Sequence, residues 1–227
     1  DRTCLGNKIC FSGAGRASQP IFIRGVKTVP GFPEQDDPTI PEFSRREIRA
    51  FGDYMIIEQI KHFIPEHGNT IFNDTHGVMR HSKIYGDDTF RRAGTAVVPG
   101  SYSVVYNNHI HNIADWDQTT SEGDFHGVGL INNTNHVWIV DNHIHHMGGD
   151  VIAGGHTGLH TILHYFIGRN YIHHTGENAV DFKEVTDIIV SQNVSHTFPG
   201  VSLRSGSVAT VCHAGRNSAY PSHRCGS

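Results

Sequence analysis

The sequence has little of what marks nucleic-acid-binding, membrane-spanning and helical proteins. Its 227 residues include 18 Lys and Arg against 22 Asp and Glu, so the basic surface that nucleic acids require is missing. No apolar run approaches the roughly 20 residues of a membrane-spanning helix. Long helices are also disfavoured, because the chain contains 25 Gly and 9 Pro. We therefore expect residues 1–227 to form one all-β domain without a nucleic-acid partner or a membrane span.

Cysteine is scarce, and its four copies lie near the chain ends. They form two local pairs without the CxxC spacing of metal sites, Cys4 with Cys10 and Cys212 with Cys225. Two short disulfide loops favour an oxidising compartment, so we expect a secreted protein, extracellular or periplasmic, whose signal peptide has been removed. The alternative is a set of free thiols in the cytosol. Sequons that permit glycosylation in a eukaryotic host begin at Asn73, Asn132 and Asn193.

An internal repeat dominates the second half of the chain. Four segments align: YSVVYNNHIHNI, HVWIVDNHIHHM, HYFIGRNYIHHT and DIIVSQNVSHTF. Their asparagines, separated by 34, 28 and 23 residues, are Asn108, Asn142, Asn170 and Asn193. Short units of this kind cannot bury an apolar side alone and must stack on one another. Strand-rich units with Asn at the bend favour a parallel β-helix over a β-propeller, whose blades need about 40 residues.

The stacked arrangement assigns roles to residues of each repeat. We expect the repeated asparagines to be structural, since Asn tolerates a left-handed backbone and its amide can bond to the equivalent amide one coil along. One aliphatic residue shortly before each Asn should lie in the core: Val104, Ile139, Ile167 and Val190. The first coils should contain residues 19–25, 53–63 and 77–86, whereas residues 26–47 and 114–124 should be loops that leave the stack.

Histidine is abundant, with 19 copies. Four of them share one repeat position: His111, His145, His173 and His196. We expect these rings to stack as a structural ladder rather than to bind zinc. Zinc requires three or four converging ligands, whereas a single row supplies ligands along a line. His126 and His156 lie outside this row, and their roles stay open.

The stretch ENAVDFKEVTDIIVSQN, residues 177–193, carries the candidate chemistry. Alignment of the repeats predicts an apolar core row of Val128, Ile152, Val180 and Leu203. Because strand residues alternate between faces, Asp181 and Lys183 should point outward, beside the small residues Gly129 and Ala153. A polar row of substrate-binding candidates, His126, Asp150 and Asn178, should lie nearby, next to Glu177. A long polymer could lie in such an open groove.

Two interpretations of Lys183 follow from its acidic neighbours. The first is a solvated face on which Lys183 forms salt bridges of little energetic value. In the second, Glu177 and Asp181 hold Ca²⁺, and the charges of Ca²⁺ and of Arg204 lower the pKa of Lys183 until it can act as a base.

The repeats, the early segment QPIFIRG and ENAVDFKEVTDIIVSQN together resemble polysaccharide lyases of the pectate lyase, chondroitinase B and alginate lyase type. The resemblance implies a single-stranded, right-handed parallel β-helix with irregular loop excursions. It also implies that Ca²⁺ neutralises a uronate, that Lys183 abstracts the C5 proton, and that Arg204 in VSLRSG assists. The calcium ligands would come from Glu177, Asp181 and Asp150. The final segment, VCHAGRNSAYPSHRCGS, shows no further coil, so the β-helix could be incomplete at its C-terminus.

The sequence thus predicts a secreted polysaccharide lyase that cleaves an acidic, uronate-containing polysaccharide by β-elimination. Glycoside hydrolysis is an alternative that would use two carboxylates, for which Asp150 and Asp181 on adjacent coils are candidates. A non-catalytic carbohydrate-binding or surface-structural solenoid is a second alternative. Such a solenoid could associate end to end, because open strand edges must be capped or paired.

Overall fold

Every strand that the structure describes pairs in parallel with a strand three places away in chain order. The structure is a computed structural model, and it describes residues 4, 6–26, 39–44, 47–65, 68–72, 74–87, 93–117, 124–130, 133–154, 162–182 and 185–197. These residues form three parallel sheets of seven strands each. Each turn of the chain therefore adds one strand to every sheet, which is the arrangement of a parallel β-helix.

The three sheets run side by side along the stack. The first contains β1 (Lys8–Ser12), β4 (Glu47–Phe51), β7 (Asn69–Phe72), β10 (Gly94–Val98), β13 (Phe125–Leu130), β16 (Ile152–Gly154) and β19 (Val180–Phe182). The second contains β2 (Ile21–Arg24), β5 (Met55–Glu58), β8 (Val78–Arg80), β11 (Val104–Tyr106), β14 (Asn135–Val140), β17 (Ile162–Gly168) and β20 (Val185–Ser191). The third contains β3 (Glu42–Ser44), β6 (Lys61–Ile64), β9 (Lys83–Gly86), β12 (His109–Ile113), β15 (His143–Met147), β18 (Tyr171–Thr175) and β21 (Val194–His196).

The core lies between the three sheets and is built from in-register aliphatic rows. On the third sheet, Ile84, Ile110, Ile144 and Ile172 are aligned and fully buried. On the first sheet, the predicted row Val128, Ile152 and Val180 is confirmed by the strand register. Leu203, the last predicted member of that row, lies outside the described residues.

The core row of the second sheet corrects one prediction. Ile139, Ile167 and Val190 are in register, as predicted, but the residue aligned with them is Val105. Val105 is fully buried, whereas Val104 pairs with the half-exposed Trp138 on the outer surface. The reason is the two-residue period of a strand, because a shift of one position moves a side chain to the opposite face.

The repeated asparagines form a ladder inside the stack. Nδ2 of Asn108, Asn142 and Asn170 donates to Oδ1 of the next asparagine at 3.1, 3.0 and 2.9 Å, and the last acceptor is Asn193. The same three Oδ1 atoms also accept from the backbone N–H of the preceding asparagine. The predicted structural role of these residues is confirmed.

The left-handed backbone at this bend is not at the asparagines themselves. It occurs one residue earlier, with φ between 47° and 59°, at Asn107, Asp141, Arg169 and Gln192. A second left-handed column, with φ between 54° and 58°, contains Tyr54, His76, Tyr102, His136 and His164. Neighbouring rings in this column lie 4.3–5.0 Å apart; the first four rings are stacked, and His164 is tilted against His136. The amide hydrogen bonds therefore explain the asparagine at the ladder position. The left-handed position before it accepts several residue types.

The early part of the chain follows the prediction with one change. The segments near residues 19–25, 53–63 and 77–86 supply β2, β5, β6, β8 and β9. The predicted loop over residues 26–47 was too long, because this range contains β3 and the first residue of β4. Cys4 and Cys10 form the predicted disulfide, whereas Cys212 and Cys225 lie outside the described residues. The part of the chain that the structure describes contains no helix that could cross a membrane.

Candidate functional site

The polar residues that the sequence analysis aligned come together at the first sheet. His126 is on β13, Asp150 lies just before β16, and Asn178 lies two residues before β19. The register of Val128, Ile152 and Val180 places these three residues in one row, one on each of three consecutive coils. Asp181 is in register with Ala153, which is in register with Gly129, as predicted. We call Asp124, His126, Asp150 and Asp181 the acidic cluster.

Asp150 is the centre of this cluster. Its side chain is buried, with 3% of its surface exposed. Its Oδ1 accepts from the backbone N–H of Asn178 at 3.0 Å and from Asn178 Nδ2 at 2.8 Å. Burial raises the pKa of Asp150, the two hydrogen bonds from Asn178 oppose this effect, and the negative charge of Asp181 adds to it. A buried carboxyl group near a second negative charge is stabilised either by protonation or by a bound cation.

His126 joins Asp150 to a third carboxylate. Its Nε2 lies 3.2 Å from Oδ1 of Asp124, and its Nδ1 lies 3.3 Å from the backbone oxygen of Asp150. One donor atom from each of Asp124, His126 and Asp150 lies within 4.8 Å of the other two, a separation that a metal ion could bridge. Asp124 is more than half exposed, so the cluster opens to solvent on that side.

A glycine brings the two coils of the cluster into contact. Gly149 donates its N–H to the backbone oxygen of Phe125 at 3.1 Å. A Cβ atom at this position would lie 2.8 Å from the nitrogen of Phe125 and 3.1 Å from the Cα of Asp124. No larger residue fits without a backbone shift, so the Gly149–Asp150 pair lets Asp150 lie beside Asp124.

The remaining predicted site residues have mixed outcomes. Glu177 is half-buried, and its backbone oxygen accepts from the Thr175 hydroxyl at 2.9 Å. The metal-competent group of the first sheet, within the described ranges, contains Asp124, His126 and Asp150 and neither of the predicted ligands Glu177 and Asp181. Lys183 and Arg204, the predicted base and its assistant, lie outside the described residues. The catalytic, substrate-binding and metal-binding roles all stay predictions.

Asp124 was missed by the sequence analysis because it was assigned to a loop. It ends residues 114–124 and directly precedes β13. Its position two residues before His126 was an available signal, since residues i and i+2 of an extended chain face the same side. The repeat alignment did not include Asp124, because the polar row that it compared between coils begins at His126.

The third sheet carries a second group of titratable side chains. The rings of His111, His145, His173 and His196 stack at 5.1, 4.7 and 5.2 Å with interplanar angles of 14°, 5° and 6°. The predicted ladder is therefore confirmed. A second row, which the sequence analysis did not consider, runs beside it: His109, His143 and Tyr171. The argument that a single row supplies ligands only along a line therefore does not apply to this surface.

The crowding of imidazoles changes their acidity. Burial, followed by the charges of His143, His111, His109 and His173, lowers the pKa of His145 to about 2. Burial and neighbouring histidines, the first of which is His143, lower the pKa of His173 to about 4. Both rings are consequently neutral at physiological pH.

Comparison of the chain with known protein families, with curated proteins and with solved structures finds no match in any of the three. The candidate function therefore depends on the geometry of the site and on the resemblance described above.

Proposed function

We propose that the protein binds an acidic polysaccharide along the outer face of the first sheet and cleaves it by β-elimination. The observation that carries this proposal is the acidic cluster, in which consecutive coils supply Asp124 with His126, then Asp150, then Asp181. We expect the β-helix to be right-handed, as crossovers between parallel strands of one sheet nearly always are. A polymer that follows the stack would cross the small residues Gly129 and Ala153 before it reaches Asp181.

The donor set of the cluster suits Ca²⁺. Carboxylate oxygens are the ligands that calcium prefers, and Asp124 and Asp150 offer them from adjacent coils, with the negative charge of Asp181 nearby. Burial, together with the negative charge of Asp181, raises the pKa of Asp150, and a cation bound beside it would favour the ionised carboxylate. A bound calcium ion would neutralise the uronate carboxylate and so make the C5 proton more acidic.

The chain's own residues then have separate tasks. Asn178 orients the Asp150 carboxylate through two hydrogen bonds, and Asp124 contacts His126. Lys183, two residues after Asp181, is the base that removes the C5 proton. The electron pair of the C5–H bond forms the C4–C5 double bond, the C4–O bond to the leaving sugar breaks, and the leaving oxygen takes a proton from water. The products are an unsaturated uronate end and a new reducing end.

The test is a screen of uronate polymers, with polygalacturonate, alginate and a glycosaminoglycan as substrates. Each is incubated with the protein in Ca²⁺ or in EDTA, and ultraviolet absorbance of the unsaturated product is followed. We expect product only with Ca²⁺, and a loss of at least about 10²-fold in turnover for Lys183→Ala, the lower range for positioned acid–base groups. Asp150→Asn should raise the Ca²⁺ concentration that activity needs, whereas Asp187→Asn, at an exposed acid of the second sheet, should change neither the turnover nor the Ca²⁺ dependence.

Glycoside hydrolysis is the second candidate function. The observation that favours it is the raised pKa of Asp150 beside the second carboxyl of Asp181, since a hydrolase needs one protonated and one ionised carboxyl group. New reducing ends without unsaturated absorbance would support hydrolysis and contradict the lyase. Full lyase activity in Lys183→Ala would contradict the assignment of the base.

A further inference from the structure

The outer surface of the third sheet presents two adjacent rows of imidazoles. His109 and His111 are both on β12, and the fully buried Ile110 lies between them. Because alternate residues of a strand share a face, both histidines point away from the core. His143 and His145 repeat this arrangement on β15, in register with the first pair. The surface thus holds a two-by-two array of rings, extended by His173 on β18.

The rows meet through their ring nitrogens. Nε2 of His109 lies 2.8 Å from Nε2 of His145, diagonally across two coils. The ring centroid of His111 lies 4.2 Å from that of His109 and 5.1 Å from that of His145. One nitrogen from each of these three rings lies within 4.8 Å of the other two. Three imidazoles from two coils are thereby aimed at one small volume.

The Nδ1 atoms of His111 and His145, on the ring side away from Nε2, contact neighbouring residues. Nδ1 of His111 lies 2.9 Å from Oδ1 of Asn112, an oxygen that can only accept, so the ring proton is on Nδ1. Nε2 of His111 therefore carries a lone pair. Nδ1 of His145 lies 2.6 Å from Nδ1 of His146, a contact that holds a proton between the two rings. Such partners orient metal-ligating histidines and set their tautomers.

We propose that His109, His111 and His145 bind one divalent transition-metal ion, such as Zn²⁺, through their Nε2 atoms. Nitrogens bound at about 2.0–2.1 Å to a tetrahedral ion lie about 3.3 Å apart, so the 2.8 Å pair must widen slightly while His111 turns inward. Three histidines leave a fourth position for water or a ligand. Imidazole ligands suit Zn²⁺, Cu²⁺ and Ni²⁺ rather than the oxygen-seeking Ca²⁺, so this site is chemically distinct from the acidic cluster.

The position of the site along the stack follows from the residues that bound it. In the preceding coil, Lys83 and Tyr85 occupy the two rows, and a lysine ammonium would repel a cation. In the coil after the array, Tyr171 replaces the first-row histidine, and its hydroxyl contacts Nε2 of His196 at 2.9 Å. A related triad, His143 with His145 and His173, lies one coil further and shares His145 with the proposed site. His145 is consequently the ligand that both arrangements need.

The experiment uses the full chain without an affinity tag, stripped with EDTA and dialysed, and titrates it with Zn²⁺ in a calorimeter. We expect saturable binding that excess Ca²⁺ does not reverse. His109→Gln and His145→Gln should each weaken Zn²⁺ binding more than about tenfold, since even partners that only orient a ligand cost 10–100-fold. The control is His164→Gln, at an exposed histidine of the second sheet, which should bind Zn²⁺ like the unmodified protein.

Each contrary outcome overturns the proposal. Absence of Zn²⁺ binding would leave the rows as a structural ladder. Binding that survives both substitutions would place the ion elsewhere. Loss in His145→Gln and His173→Gln with retention in His109→Gln would assign the ion to the related triad instead. Circular dichroism in EDTA checks that each variant folds. The visible spectrum of the Co²⁺-loaded unmodified protein gives an independent test, because tetrahedral nitrogen ligation produces intense absorption that hydrated Co²⁺ lacks.

Discussion

Substitution of Asn142 by Ala should strongly destabilise the stack. The Asn142 side chain is 1% exposed and takes part in five hydrogen bonds. Its Oδ1 accepts from the backbone N–H and the amide of Asn108, and its Nδ2 donates to the backbone oxygens of Val105 and Val140 and to Asn170. Alanine removes all five contacts, although the backbone N–H of Asn142 keeps its own acceptor on Asn170.

The magnitude follows from the groups left buried. Asn108 Nδ2 still donates to Met79, and the Val140 oxygen still accepts from Asn107, so neither becomes an orphan. The Asn108 backbone N–H loses the acceptor that Asn142 supplied. The Val105 oxygen loses one donor, but the parallel register of β11 and β14 directs the Val140 N–H at it, so it does not become an orphan. A buried group without its partner costs about 1–3 kcal/mol, so the Asn108 N–H predicts a loss of about 1–3 kcal/mol in the free energy of unfolding.

The assay is urea unfolding in EDTA, followed by circular dichroism, with hydrogen exchange at the Asn108 amide as a local readout. Asn193→Ala is the matched control, because Asn193 makes the same kinds of contact at the last rung but is only part-buried. Water can replace its partners, so its loss should stay near about 1 kcal/mol. Equal effects of the two substitutions, or a loss below about 1 kcal/mol for Asn142→Ala, would refute the burial argument.

Two further predictions concern the core and the histidines. Ile139→Ala should lower the free energy of unfolding by about 2–5 kcal/mol, because burial is lost and a cavity forms. Ile189→Ala, at a side chain that is 59% exposed, should lower it by less than about 0.5 kcal/mol. Similar losses in the two variants would contradict the assigned faces. The pKa of His145 is about 2 in the fold and about 6.5 in an unfolded chain, so the unfolded state binds more protons between these values and stability should decrease as pH falls below about 6.5. Urea titrations at several pH values in EDTA measure this decrease, and an unchanged slope in His145→Gln would show that other groups cause it.

Much of the β-helix could be predicted because the same residue types recur at fixed offsets within each repeat. Asparagine at one position of four units, followed three residues later by histidine, requires a stack in which identical groups meet. The asparagine ladder and the histidine stack were predictable for this reason. Val104 was wrong by one position, because the core residue lies three positions before the asparagine in the other three units, which gives Val105, and a shift of one residue reverses the face.

The candidate site was less predictable than the fold. His126, Asp150 and Asn178 could be aligned because all three are polar, but Asp124 was assigned to a loop, and its equivalent in the next coil is Gly148. The left-handed column of tyrosines and histidines was also not foreseen, because the positions in this column do not share one residue type and tyrosine rarely adopts that backbone conformation.

The sequence by itself determined the period, the residue types on each rung and the alternation of core and surface, because these depend on local spacing along a strand. Only the tertiary structure determined which side chains of neighbouring coils are in contact. The contact between Nε2 of His109 and Nε2 of His145 joins residues 36 positions apart, and the nearness of Asp124 to Asp150 depends on a glycine that lets two backbones approach. Such diagonal contacts depend on the stacking distance and on side-chain rotation between coils, which linear spacing does not specify.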